Sequence, residues 1–177
     1  MSLHKPDPAE HPGYFAAYIG LVPEGDLTEL LDAQTEQVLR LYGSIREEDA
    51  GYRYGPDKWS VKQLLGHVAD TERVMSYRML CAARGDVSPL PGFDENDYVR
   101  GADFERQSLT SLLEGFVAVR RATLSLIASL PEQAWGRSAM VNGNAITARA
   151  LAYVLAGHEL HHGRILQERY AAVVGKQ

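Results

Sequence analysis

The chain has 177 residues, 45% hydrophobic and 23% charged, an ordinary globular composition with enough length for one self-sufficient core. Its net charge of −5 lacks the basic footprint of a nucleic-acid binder. A single cysteine, Cys81, excludes an internal disulfide and suits a reducing cytoplasm, and no apolar run is long enough to span a bilayer.

Residues 1–20 are polar and proline-bearing at their start, carry no signal-peptide pattern, and read as an irregular N-terminal segment of the single domain 1–177. His4 and His11 lie there and read as solvated. Asp26 followed by Glu29 resembles a capping box, and the stripe Leu27, Leu30, Leu31, Val38, Leu41, Ile45 predicts a first helix from about Leu27 to Ile45. Ser60 with Gln63 opens a second helix, about Val61 to Arg84, with Leu64, Leu65, Val68, Met75 and Met79 on its apolar face. The stretch Gly85 to Tyr98 holds two prolines, two glycines and four acidic residues and reads as a long irregular connection.

A third helix is expected from about Phe104 to Leu130, stopped by Pro131, and a fourth from Thr147, a plausible N-cap, to about Tyr170. Between them Asn142-Gly143 signals a turn, and no segment shows convincing strand alternation. The expectation is an all-α four-helix bundle, with the long connection between the second and third helices suited to a crossover.

Three of the six histidines fall within five positions of the fourth helix, His158, His161 and His162. At about 100° per residue, His162, Leu151, Val154, Leu155 and Ile165 all fall within about 60° of His158, while His161 lies about 60° to one side, at the stripe's edge. A lone histidine on an apolar face is more often a hydrogen-bonded core residue than a ligand. A pair one turn apart can instead meet a single divalent ion. His67 flanks the apolar stripe of the second helix, where a bundle can bring it to face that pair. Three imidazoles leave an ion at least one open position, and all-nitrogen ligation suits zinc or nickel. Asp70, Glu72 and Glu159 are candidate carboxylates for orienting the rings.

The letters His158-Glu159-Leu160-His161-His162 also match the zinc-protease pattern, with Glu159 as general base. Two features disfavour that reading. The following "GRILQ" departs from the extended protease motif, and no strand is evident to hold a peptide substrate.

The stretches "KWSVKQLLGHVADTE" (58–72) and "ITARALAYVLAGHELHHGRILQ" (146–167) resemble the DinB/YfiT-like superfamily of damage-inducible metalloproteins. The most specific pieces are Trp59-Ser60, Gly66-His67 and the histidine cluster of the last helix; "PLPGFDENDY" (89–98) resembles the connecting loop of one branch. The resemblance implies a four-helix bundle with crossover connectivity, a metal on His67, His158 and His162, His161 as a neighbour that does not ligate, and a homodimer. Relatives include transferases that join low-molecular-weight thiols such as bacillithiol to electrophiles, and mycothiol-dependent isomerases.

The expected function is therefore a metal-dependent thiol S-transferase, taking a small-molecule thiol and an electrophile, with neither nucleic acid nor membrane as partner. A thiol at the open metal position is deprotonated and attacks an electrophilic carbon. Glu159 and Arg78 are the candidate catalytic side chains. Arg73, Arg78, Arg84, Arg120 and Arg121 could include a clamp for a charged substrate, and Asp94, Glu95, Asp97 and Tyr98 could border a pocket. Cys81 reads as a buried, unreactive thiol. The alternatives are a metal-dependent hydrolase, with water at the open position, and a metal- or ligand-binding stress protein without catalysis.

Overall fold

The structure is a computed structural model, and it describes residues 3–175. Six α-helices follow in order: α1 Ala16–Leu21, α2 Leu27–Gly43, α3 Val61–Arg84, α4 Glu95–Ala102, α5 Leu109–Ser129 and α6 Ala148–Arg169. A two-stranded hairpin, β1 Ser138–Val141 and β2 Asn144–Thr147, precedes α6. The four long helices α2, α3, α5 and α6 make the bundle. α3 and α2 each pack against both α5 and α6.

Side-chain caps set the helix starts. Asp26 accepts from the backbone N–H of Thr28 and Glu29 at 2.8 and 3.2 Å. Ser60 and Gln63 form the reciprocal capping box of α3. Thr147 caps α6 through Ala150 N–H at 3.0 Å. Ser108, not Phe104, caps α5, accepting from Ser111 N–H. The third long helix therefore starts five residues later than its apolar pattern suggests, because Asp103 takes a left-handed conformation and Phe104–Arg106 form a separate 3-10 turn.

Three expectations are corrected here. Residues 1–20 are not irregular throughout, since two 3-10 turns and α1 organise them. Residues 85–98 are not wholly irregular either: Asp94 caps α4, accepting from Asn96 and Asp97 N–H at 2.8 and 3.0 Å. And strands exist. Asn142 and Gly143 both have positive φ, 47° and 74°, the backbone of a type I′ hairpin turn, and they join strands of only four residues. Leu90 bridges to Val141, tying the segment before α4 to this hairpin.

α1 explains the composition of α6. The run Ala150 to Glu159 is buried without interruption because α1 covers the face that the bundle leaves open. Contact is backbone to backbone: a Cβ on Gly157 would meet the Tyr18 carbonyl oxygen at 2.0 Å. Gly66 similarly leaves room for the Phe104 ring, 2.5 Å from where its Cβ would stand. Each glycine immediately precedes a histidine of interest.

The core falls into two apolar clusters stacked along the bundle. One gathers Leu31, Met79, Leu151 and Leu155; the other Val38, Leu65, Phe116 and Leu166. Between them every long helix contributes buried polar groups: Gln34 from α2, His67, Thr71 and Glu72 from α3, Arg120 and Thr123 from α5, and His158, Glu159 and His162 from α6. A polar belt thus crosses the middle of the bundle.

Candidate metal centre

α3 and α6 lie side by side and bring His67, His158 and His162 together, all three buried. Their Nε2 atoms form a near-equilateral triangle, 3.0 Å from His67 to His158, 3.2 Å from His67 to His162 and 3.1 Å from His158 to His162. Donors about 2.0–2.1 Å from one ion and about 90–110° apart stand ~2.9–3.4 Å from each other, so the triangle has the size of a three-nitrogen metal face.

The protonation states agree with that use. Burial pushes the His67 pKa down to about 4 and that of His162 to about 3, and drives His158 well below its ordinary value. Near neutral pH all three rings are therefore uncharged and keep a lone pair. Three lone-pair-bearing rings in mutual contact cannot all be satisfied by one another. His162 Nδ1 is moreover buried without a hydrogen-bond partner. A cation at the triangle relieves the crowding of the three Nε2 atoms, so the residues fit a divalent metal.

The triangle opens onto a cavity of about 440 Å³. Besides Trp59 and the α6 residues Val154 and His161, its walls come from Tyr14, Phe15 and Tyr18 of the N-terminal segment, Thr71, Met75 and Arg78 of α3, Phe93 and Glu95 around the start of α4, and Asn142 at the hairpin turn. Tyr18 packs edge-on against His158 and His161, with ring centroids 5.5 Å apart in each case. Trp59 lies against His67 at 4.5 Å. His161 is half-buried on the wall and outside the triangle, and burial lowers its pKa.

The candidate carboxylates lie elsewhere. Glu72 accepts a two-pronged bond from Arg120, Nε and Nη2 each at 2.8 Å. Glu159 turns to the same guanidinium, 3.7 Å from Nη2, and is absent from the cavity wall. Burial raises the Glu159 pKa to about 7 against the pull of Arg120. For Arg120, burial works against the charge, but the bond and charge of Glu72 outweigh it and hold the pKa above its usual value. Asp70 pairs with Arg73 on the surface. None of the three carboxylates hydrogen-bonds a histidine of the triangle, and Glu159 does not take the position of a base facing the cavity.

Of the five arginines, only Arg78 reaches the cavity; Arg73, Arg84 and Arg121 are exposed and Arg120 is buried in the belt. Of the loop residues, Glu95 lines the cavity, Asp94 is spent on the α4 cap, and Asp97 pairs with Arg100. Tyr98 is exposed against Phe93. Cys81 is buried in the apolar core. The N-terminal aromatics and Asn142 are wall residues that sequence reasoning missed. The Asn-Gly turn was a signal for the second, while six-residue α1 offers too short a pattern to betray the first.

Residues 30–166 match the sequence profile of the DinB superfamily. The chain belongs to the DinB superfamily. A candidate metal-dependent hydrolase of Oceanobacillus iheyensis is 27% identical to this DinB-superfamily chain over 136 residues, which cover 75% of the chain and 76% of the relative. YfiT from Bacillus subtilis, a probable metal-dependent hydrolase with an unusual four-helix bundle topology, superposes with a TM-score of 0.68 at 17% identity, over 96% of this chain and 93% of its own. A mycothiol-dependent maleylpyruvate isomerase superposes with the same score, 0.68, at 15% identity, over 82% of this chain and 61% of its own. The two structural likenesses show a shared fold. No helix among the described residues is long and apolar enough to cross a membrane.

Proposed function

We propose that the protein is a metal-dependent transferase that joins a low-molecular-weight thiol to an electrophilic small molecule, with His67, His158 and His162 as the metal ligands. The observation that carries the reading is the pairing of a neutral three-imidazole triangle with a cavity whose wall holds no buried carboxylate; Glu95, its one acidic residue, is exposed. Cleavage of an ester or amide by metal-bound water would be aided by a carboxylate beside it to move protons, and none is placed there. A thiol is far more acidic than water, so a cation held by His67, His158 and His162 would leave a bound thiol ionised at neutral pH.

The chain's own residues supply position and exclusion. Trp59 and Tyr18 give the cavity apolar surface beside the histidines, and Phe93 gives it beside Arg78. His161, uncharged at neutral pH, lies edge-on to Tyr18 on the cavity wall. The fold shared with a mycothiol-dependent enzyme and the DinB family membership support the same reading. Water at the open position remains the rival, favoured by the hydrolase-like relative of Oceanobacillus iheyensis.

The deciding experiment strips the protein of metal, restores one equivalent of zinc or nickel, and follows thermal stability and electrophile consumption with a panel of thiols. Thiol-dependent stabilisation that requires the metal, together with thioether formation, is the expected result. Ester or amide cleavage without any thiol requirement would establish the hydrolase instead.

A further inference from the structure

Two arginines of this protein are almost fully buried, and their surroundings differ. Arg120 is 0% exposed and meets two carboxylates. Arg78 is 5% exposed and has no carboxylate within ion-pair distance among the described residues. Its Nη2 donates to the Pro91 carbonyl at 2.7 Å, its Nη1 approaches Met75 Sδ at 3.7 Å, and its guanidinium stands over the Phe93 ring at 5.4 Å. A guanidinium has five N–H donors in a planar fork, so these contacts leave most of its capacity unused. A buried charge without a counter-charge is costly, and desolvation here works against the charged form.

Arg78 lines the cavity already described, and also the neighbouring hollow between α3 and residues 90–98. Arg78 follows His67 by eleven residues on α3, close to three full turns, so both side chains leave the helix on one face. Their Cα atoms are about 16 Å apart along the axis at 1.5 Å per residue, with Thr71 and Met75 between them on the wall. The charged lining residues are Arg78 and Glu95 alone, once the imidazoles are neutral, and Glu95 is exposed at the rim. The Pro91 bond fixes the guanidinium in place, and Asn142 adds an amide at the same wall as Gly92.

We propose that Arg78 is the anchor of a carboxylate subsite, so that the small molecule held in this cavity carries one acidic group at the end remote from the histidine triangle. A single fixed guanidinium matches one planar monoanion in two-pronged geometry, as Arg120 matches Glu72. The separation along α3 requires several bonds between that acid and the reacting end. This inference builds on the thiol-transferase reading by naming a recognition element of its substrate, yet it stands on a different residue and is tested separately.

The probes are 6-mercaptohexanoate, its neutral amide, and heptanoate, in which a methyl group replaces the thiol. Dissociation constants are measured by ligand-observed NMR on metal-loaded and metal-free protein. For the wild type, the acid binds about tenfold more tightly than the amide, the ordinary value of one charge-assisted contact. In Arg78→Gln that ratio falls to near one with metal content unchanged, and Arg78→Lys restores part of it. Equal binding of acid and amide by the wild type overturns the proposal even if the variants do not fold, and so does a ratio that survives in Arg78→Gln. Heptanoate matching 6-mercaptohexanoate on metal-loaded protein, with the acid preference intact, sinks the thiol reading and leaves the carboxylate subsite standing.

Discussion

α6 carries two buried polar clusters that start one residue apart. His158 and His162 face α3, while Glu159 faces Arg120 on α5. The carboxylate side is nearly self-sufficient. Arg120 gives two 2.8 Å bonds to Glu72 and a third, from Nη1, to the Leu31 carbonyl at 2.8 Å. The histidine side is not. Three uncharged rings confront one another through the same atom, while each side keeps one buried atom without a hydrogen bond, Glu159 Oε2 and His162 Nδ1. A folded chain can pair a buried charge with its own residues, whereas three converged lone pairs make a site that an external cation completes. One cluster is closed by the chain's own residues; the other borders the cavity.

Breaking the self-sufficient side should cost most. Arg120→Ala leaves Glu72 buried without its partner and is expected to destabilise by about 3–5 kcal/mol in denaturant unfolding. The same loss should appear with and without metal. If it appears only in the metal-loaded protein, the two clusters are not independent.

The histidine side should respond to metal instead. Wild-type protein gains about 2.7 kcal/mol when metal stands at a hundred times its dissociation constant. His67→Ala abolishes that gain and the bound metal, while costing the metal-free fold little. Full metal stoichiometry in His67→Ala removes that ligand from the account.

Acid should separate the clusters by sign. In metal-free protein the folded histidines have lowered pKa values, so the unfolded chain binds more protons below its ordinary value of 6.5. Their contribution is lost as pH falls through 6.5 and levels off below about 4 and 3. Glu159, raised to about 7, takes up a proton in the folded state and acts in the opposite sense between about 7 and its ordinary value of 4.5. Between pH 7 and 6 the three histidines cost on the order of 2 kcal/mol, and Glu159 offsets on the order of 1 kcal/mol. Unfolding midpoints in Glu159→Gln should therefore fall more steeply with acid than in the wild type.

The smallest effect belongs to Glu159→Gln at neutral pH. The amide replaces a carboxyl already close to half protonated, so stability should change by less than about 1 kcal/mol, with metal content and turnover kept. Loss of turnover with metal retained would restore Glu159 as a base.

Much of this was legible in the sequence. Asp26, Ser60 and Thr147 announced three of the four long helices because a cap is a local interaction between neighbours. The i, i+4 histidine pair and His67 were legible because helical geometry fixes which side chains share a face. The rest depends on contacts distant in the chain. Arg120 and Arg121 read alike, and only the packing of α5 against α2 and α3 buries one of them and exposes the other. Glu72 and Glu159 were expected to orient histidines, yet that guanidinium claims both. The hairpin escaped because four residues give too little alternation to count. α1 escaped because its six residues take their helical form from packing on Gly157.

X-ray absorption of protein carrying one equivalent of zinc tests the central claim most directly. The account predicts three imidazole nitrogens at about 2.0–2.1 Å with the remaining sphere filled by exchangeable oxygen donors. A sphere with fewer than three imidazoles, or with Cys81 sulfur at about 2.3 Å, would contradict it.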